Sequence, residues 1–88
     1  MPLWARTLLF TAAAEQVEDA ARRHREHLHV LARQGKIRCA GELGGDGFLE
    51  IFEARDRREA EEIARSSPIV EDGLGAWILR EWTEFDFG

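Results

Sequence analysis

Apolar residues along the chain alternate between strand-like runs and stretches with helical spacing. An apolar run at residues 2–10 is too short for a helix with a buried stripe, so it predicts a first strand. Residues 15–34 repeat apolar positions at helical spacing, which predicts a helix. Gly35 ends it, because glycine readily adopts the left-handed conformation found just after a helix. Residues 36–41 and 48–54 predict two further strands, and the Asp46-Gly47 turn between them indicates a hairpin.

The last third of the chain carries a second set of start and stop signals. Asp56 followed by Glu59 is a capping box, which predicts a helix through about residue 65. Pro68 ends that helix, residues 69–74 form a short turn or a short piece of helix, and residues 75–82 form a fourth strand before a loosely held tail. The order β-α-β-β-α-β predicts an α+β fold, a ferredoxin-like sandwich that makes a single domain over residues 1–88.

Two helices cover only one face of such a sheet, yet both faces of these strands are largely apolar. A sheet with one face in water should instead alternate cleanly between apolar and polar residues. The even positions would expose an aromatic patch larger than a monomer usually tolerates. We therefore predict a homodimer through that face, with a second copy related by a two-fold axis. The aromatic set is Trp4, Phe48, Phe52 and Trp82. Arg6, Glu50 and Arg80 fall in the same set, and an ion-pair network in the dimer interface is favoured over a ligand site there.

Charge and composition exclude several classes of partner. The formal net charge of −5 argues against nucleic acid, because phosphate binding needs a basic stripe. No apolar run is long enough for a signal peptide or a membrane span, and the single Cys39 cannot form an internal disulfide. His24 and His27 stand three residues apart, but no CxxC motif or acidic ligand accompanies them. We expect a cytoplasmic protein with no metal, no cofactor, no nucleic acid and no membrane partner.

One polar residue interrupts the apolar stripe of the first helix. His24 lies at its centre, where a leucine would be ordinary, and an unmade hydrogen bond there costs about 1–3 kcal/mol. Two interpretations follow: a core histidine bonded to a backbone carbonyl, or a proton-transfer group on the wall of a pocket between the sheet and the helices. The rest of the stripe is Val17, Ala20, Ala21, Leu28 and Leu31.

Short motifs follow one another in a specific order along nearly the whole chain. They are His24 with Leu28, Leu31 and Gly35; Ala40-Gly41; the Asp46-Gly47 turn into FLEIFEA; Ala60; Ser67-Pro68-Ile69-Val70; Gly73-Leu74; and the segment from Trp77 to Trp82. In this order and spacing the chain resembles the YCII-related (YciI-like) family of small dimeric α+β barrel proteins.

The resemblance implies a ferredoxin-like protomer, a dimer, and a pocket that holds a histidine–aspartate pair. His24 matches the histidine of that pair, whereas Ser67 stands where the aspartate is expected. A serine can orient an imidazole ring but cannot stabilise its charged form, so we expect His24 to be a weaker base. Asp72 and Glu42 are candidates to supply the missing charge from another position.

The resemblance also implies a class of chemistry. One branch of the family removes chloride from hydroxylated chloroaromatics, and related barrels rearrange lactones or oxidise quinols without a cofactor. The first hypothesis is therefore a cofactor-free acid–base lyase or isomerase acting on a small aromatic or oxo-acid. His24 would move the proton, Ser67 would orient the ring or bind a substrate oxygen, and Trp77 and Leu28 would flank the substrate. The alternative is a non-catalytic module that binds a small metabolite or serves as an accessory subunit, with His24 as a structural residue. Ser67 favours this alternative.

Overall fold

Four antiparallel strands form one sheet, and the two long helices follow the order that the sequence predicts, with a short third helix after the second. The structure is a computed structural model that describes residues 1–88. Within the sheet the strands run in the order β2-β3-β1-β4, which confirms the ferredoxin-like sandwich. The elements are β1 (Leu3–Phe10), α1 (Ala14–Arg33), β2 (Ile37–Leu43), β3 (Gly47–Glu53), α2 (Arg57–Arg65), the short α3 (Pro68–Glu71) and β4 (Gly75–Trp82).

The local signals end the elements close to the predicted residues. Gly35 adopts a φ of 74° directly after α1, and the N–H of Lys36 donates to the Leu31 carbonyl at 3.0 Å. At the start of α2, the Asp56 carboxylate accepts the Glu59 N–H at 2.9 Å. β2 continues two residues beyond the prediction, to Leu43, because it pairs with β3 as far as Gly47.

The predicted dimer face was assigned to the wrong side of the sheet. Trp4, Phe48 and Phe52 are only 5%, 2% and 0% exposed, since they lie beneath the helices rather than on an open surface. Both strand faces are apolar, so alternation along a strand could not tell which face the helices cover. Trp82 does lie on the uncovered face, because Leu3 pairs with it and Trp4 pairs with Glu81. The odd residues of β4 therefore share a face with the even residues of β1.

The core between sheet and helices consists of two apolar clusters. One surrounds Phe52 and Ala60, and the other surrounds Leu8 and Phe48. Leu28 packs against both clusters, and so does the half-buried Trp77. Burying each large apolar side chain contributes about 1.5–3 kcal/mol, so these clusters hold the helices onto the sheet.

The helical layer does not cover the whole width of the sheet. Every residue of the edge strand β2 is exposed except its two ends, Ile37 and Leu43, which are half-buried. This leaves a cleft between α1 and β2 on the helix side of the sheet. None of the three helices is long and apolar enough to cross a membrane.

Candidate functional site

Four polar side chains form a continuous hydrogen-bonded series inside the core. Arg6, His24, Glu50 and Ser67 are each at most 1% exposed. Arg6 Nε lies 2.6 Å from Glu50 Oε1, and His24 Nε2 lies 2.7 Å from Glu50 Oε2. Ser67 Oγ lies 2.9 Å from the other ring nitrogen, His24 Nδ1. No buried side-chain polar atom lacks a partner, so the series is fully satisfied.

Each member of the series is placed by a different element. The register of β1 and β3 puts Arg6 directly opposite Glu50. His24 belongs to the buried stripe of α1, as its spacing predicts. Ser67 is the N-cap of α3, where its Oγ accepts the N–H of Ile69 at 3.1 Å.

Arg6 also connects the series to the end of a helix. Its Nη1 donates to the carbonyl oxygen of Ala64, in the last turn of α2. A cation is favoured there, because the carbonyl groups at a helix C-terminus carry partial negative charge. Arg6 therefore neutralises the Glu50 carboxylate and ties α2 to the sheet at the same time.

The hydrogen-bond pattern assigns the protons on the imidazole. Ser67 Oγ already accepts backbone N–H groups, so its hydroxyl is free to donate to His24 Nδ1. The ring proton then resides on Nε2 and is donated to Glu50. In this arrangement His24 is neutral and the charges of Arg6 and Glu50 cancel. A buried polar group of this kind is stable only when its charges are paired and its hydrogen bonds are made.

Glu50 supplies the carboxylate beside His24 for which Asp72 and Glu42 were the predicted candidates. Burial disfavours its charged form, but the hydrogen bond from His24 and the charge of Arg6 outweigh burial and hold the pKa of Glu50 below its usual value. The two carboxylates proposed from sequence lie at the surface, where Asp72 pairs with Arg23 at 2.7 Å and Glu42 pairs with Arg25 at 3.2 Å.

Two expectations about these charges are therefore wrong. His24 does have a buried carboxylate beside it, so the expectation that Ser67 leaves the ring without a charged partner is wrong. The ion pair of Arg6 and Glu50 lies in the core and not in a dimer interface, and Arg80 is exposed on the opposite face of the sheet. The signal in the sequence was the pair of opposite charges on two apolar strands, which could have been assigned to the helix side.

A second histidine lies beside the series. His27 Nε2 lies 2.9 Å from Ser66 Oγ, whose hydroxyl donates to the Ile63 carbonyl at 2.7 Å. His27 therefore donates its Nε2 proton to Ser66. Burial lowers the pKa of His27, and the positive charge of Arg6 lowers it further.

The cleft between α1 and β2 has a volume of about 280 Å³. Leu28, Ala32, Ile37, Ala40 and Phe48 supply its apolar lining together with the backbone at Gly41, and the polar lining is Arg25, His29 and Glu42. His24 does not line it, contrary to the expectation of an imidazole on a pocket wall. Phe48 contacts both regions, because it lines the cleft and its ring centroid lies 4.6 Å from that of His24.

The remaining site candidates are divided between the cleft and the core. Leu28 lines the cleft. Trp77 does not; it packs against both core clusters, with the guanidinium of Arg65 6.0 Å from the centre of its ring. No group of three or more His, Cys, Asp or Glu side chains converges as a candidate metal site.

Comparisons with known proteins agree with this architecture. The chain is similar in structure to 5-chloro-2-hydroxyhydroquinone dehydrochlorinase from Burkholderia phenoliruptrix, solved in complex with 2,5-dihydroxybenzoquinone. The TM-score is 0.79 at 20% sequence identity, over 94% of this chain and 95% of the other, and at that identity the likeness establishes the fold. A search of curated proteins finds no match. A sequence model described as the YCII-related domain matches residues 4–85, nearly the whole chain, and the chain therefore belongs to the YCII-related family.

Proposed function

We propose that this protein is a cofactor-free acid–base lyase that acts on a small hydroxylated aromatic compound, with His24 as the base. The observation that carries the proposal is the buried imidazole held between Ser67 and the Glu50 carboxylate. The structural relative named above acts on a small chlorinated aromatic, and its structure was solved in complex with a quinone. Membership of the YCII-related family points to the same class of small-molecule chemistry.

The hydrogen bonds define a route for one proton. Nδ1 of His24 carries the free lone pair, so it is the atom that accepts the substrate proton, and the Ser67 hydroxyl orients the ring until the substrate is bound. Glu50 faces the opposite nitrogen and stabilises the imidazolium that forms. In a chloride elimination the carbon–chlorine bonding pair leaves with chloride, and the substrate proton ends on His24. The proton then passes to water, which restores the neutral ring.

The cleft is the proposed position of the substrate. Its volume of about 280 Å³ is at the lower end for small-molecule sites and suits a compound with one or two rings. Leu28 and Phe48 offer flat apolar contacts. His24 is 0% exposed, so the proposal includes a rotation of the Phe48 side chain that brings the imidazole into contact with the cleft.

Release of chloride from 5-chloro-2-hydroxyhydroquinone tests the proposal. We expect chloride release to be faster with the native protein than without protein in the same buffer. The rate should fall about 10²–10⁴-fold in His24→Gln, the usual contribution of a general base. Arg22→Gln is the matched control, because Arg22 is an exposed residue of the same helix that lies outside the site. No release above the buffer rate, or full activity in His24→Gln, would contradict the proposal.

A second candidate function is a small-metabolite-binding or accessory module without catalysis. It is favoured by the complete burial of His24, by the occupation of both ring nitrogens, and by the absence of His24 from the cleft lining. Under this function 2,5-dihydroxybenzoquinone binds with the same affinity to native protein and to His24→Gln, and neither protein releases chloride. Calorimetric titration beside the chloride assay separates the two functions.

We also propose that the protein is a homodimer, through the face of the sheet that the helices leave uncovered. Leu9, Leu49 and Ile78 are 46%, 38% and 62% exposed on this face, and Trp82 lies on the same face. This patch is larger than the isolated apolar residues found on most protein surfaces, and it suits a self-complementary contact. In sedimentation at micromolar concentration we expect a dimer for the native protein and a monomer for Ile78→Lys. A native species at the single-chain mass of 10.0 kDa would refute the dimer.

A further inference from the structure

The polar side chains of the cleft form a small charged rim. Arg25 and His29 lie one turn apart on α1, and Glu42 faces them from β2. Arg25 Nη1 and Glu42 Oε1 are 3.2 Å apart, and about half of each side chain is exposed. The interior behind this rim is apolar. An apolar interior below a positively charged group is complementary to a flat molecule with one anionic edge.

We propose that this cleft binds a planar aromatic carboxylate, with its ring against Leu28 and Phe48 and its carboxylate on Arg25 and His29. The inference rests on the proposed function, because it places the proposed aromatic ring in the same cleft and adds a carboxylate to it, a group that 5-chloro-2-hydroxyhydroquinone lacks. The planar guanidinium of Arg25 can donate two parallel hydrogen bonds to a carboxylate. The His29 imidazole carries an N–H in either protonation state, so it donates at any physiological pH.

Glu42 acts as an internal competitor for the same cation. Its carboxylate occupies Arg25 when the cleft is empty, so the ligand carboxylate replaces it. The exchange is easy, since an exposed ion pair is weakly held and screened by salt. This competition gives a specific signature: removing the positive charge at Arg25 weakens ligand binding, whereas removing the negative charge at Glu42 strengthens it.

The apolar interior offers an independent way to block binding. Ala32 on α1 and Ala40 on β2 both line the cleft and are both exposed. A leucine at Ala40 would extend into the cleft rather than into the packed core, so Ala40→Leu is expected to fold normally. We expect it to fill the space that the aromatic ring occupies.

Calorimetric titration with 1-naphthoate and its neutral analogue 1-naphthamide, at low ionic strength, tests the inference. We expect native protein to bind naphthoate about ten-fold more tightly than naphthamide, as one charge-assisted contact provides. Arg25→Gln removes this preference, Glu42→Gln increases the affinity for naphthoate, and Ala40→Leu abolishes the binding of both compounds. Arg22→Gln, on the same helix but outside the cleft, keeps the native affinities.

The outcomes separate this inference from the proposed function. No binding of naphthoate at millimolar concentration, equal affinity for the two compounds, or a preference that survives Arg25→Gln overturns the carboxylate site. A failure of the proposed function instead appears as no chloride release above the buffer rate, or as unchanged release in His24→Gln, and either result leaves the preference for naphthoate in place. The four titration variants leave the buried series of Arg6, His24, Glu50 and Ser67 intact.

Discussion

Replacing Glu50 by glutamine tests the buried series most severely, because it removes one charge at almost constant volume. The carboxylate accepts from Arg6 Nε at 2.6 Å and from His24 Nε2 at 2.7 Å. An amide has only one acceptor oxygen, so one of these donors must face an NH₂ group. The guanidinium of Arg6, 1% exposed, also loses its counter-charge.

The magnitude follows from two independent estimates. Two hydrogen bonds to a charged group contribute about 1.5–3 kcal/mol each, or about 3–6 kcal/mol together. Breaking a buried ion pair by removing one partner costs about 3–5 kcal/mol. Because a domain is stable by only about 5–15 kcal/mol in total, we expect Glu50→Gln to lose a large part of its free energy of unfolding.

Urea denaturation followed by circular dichroism measures this loss. Glu53→Gln is the matched control, since Glu53 lies on the same strand and makes no side-chain ion pair. We expect the control to stay within about 0.5 kcal/mol of native protein, as is usual for a surface substitution. A loss in Glu50→Gln of less than about 1 kcal/mol beyond the control would refute the argument that this carboxylate neutralises a buried cation.

Four further predictions follow from the structure. Ser67→Ala removes both the helix cap and the hydroxyl that donates to His24, so urea denaturation should show a loss of about 1–2 kcal/mol; native stability would argue against both roles. The pKa of Glu50 is lower in the folded than in the unfolded protein, so its stabilisation is complete above about pH 4.3 and is lost as pH falls through the folded value; Glu50→Gln should lack this acid-dependent loss. The folded state also lowers the pKa of His27, so native protein should lose stability as pH falls below about 6.5, and a His27→Gln curve that falls equally would exclude His27 as the cause. A methyl group at Gly47 would lie 1.9 Å from the Leu8 carbonyl oxygen, whereas one at Gly41 meets nothing within 4 Å. Thermal unfolding should therefore show that Gly47→Ala is less stable than native protein by about 1–3 kcal/mol and that Gly41→Ala is close to native.

The fold follows from local signals that do not depend on distant contacts. Gly35 ends α1 because it takes a left-handed conformation, and Asp56 begins α2 because its carboxylate accepts a backbone N–H. The helical stripe likewise placed His24 inside the protein. Each of these inferences needs only residues a few positions apart.

Which face of the sheet the helices cover could not be predicted in the same way. Both faces of β1 and β3 carry large apolar residues, so the choice of covered face depends on the helices, which are distant in sequence. Assigning Phe48 and Glu50 to a dimer seam separated Glu50 from His24, although they are hydrogen-bonded. On β4 the odd residues, and not the even ones, share a face with the even residues of β1. This could not be predicted either, because the register of β4 with β1 is a property of the folded sheet.

The proton positions on His24 are the most direct test of the account, because both its stability and its proposed chemistry depend on them. Nitrogen-15 NMR of the ring distinguishes a protonated nitrogen from a bare one. We predict that at pH 7 Nε2 carries the proton and Nδ1 does not, since Glu50 faces the first and the Ser67 hydroxyl the second. A proton on Nδ1 alone would contradict this tautomer, and protons on both nitrogens would contradict the neutral base that the account requires.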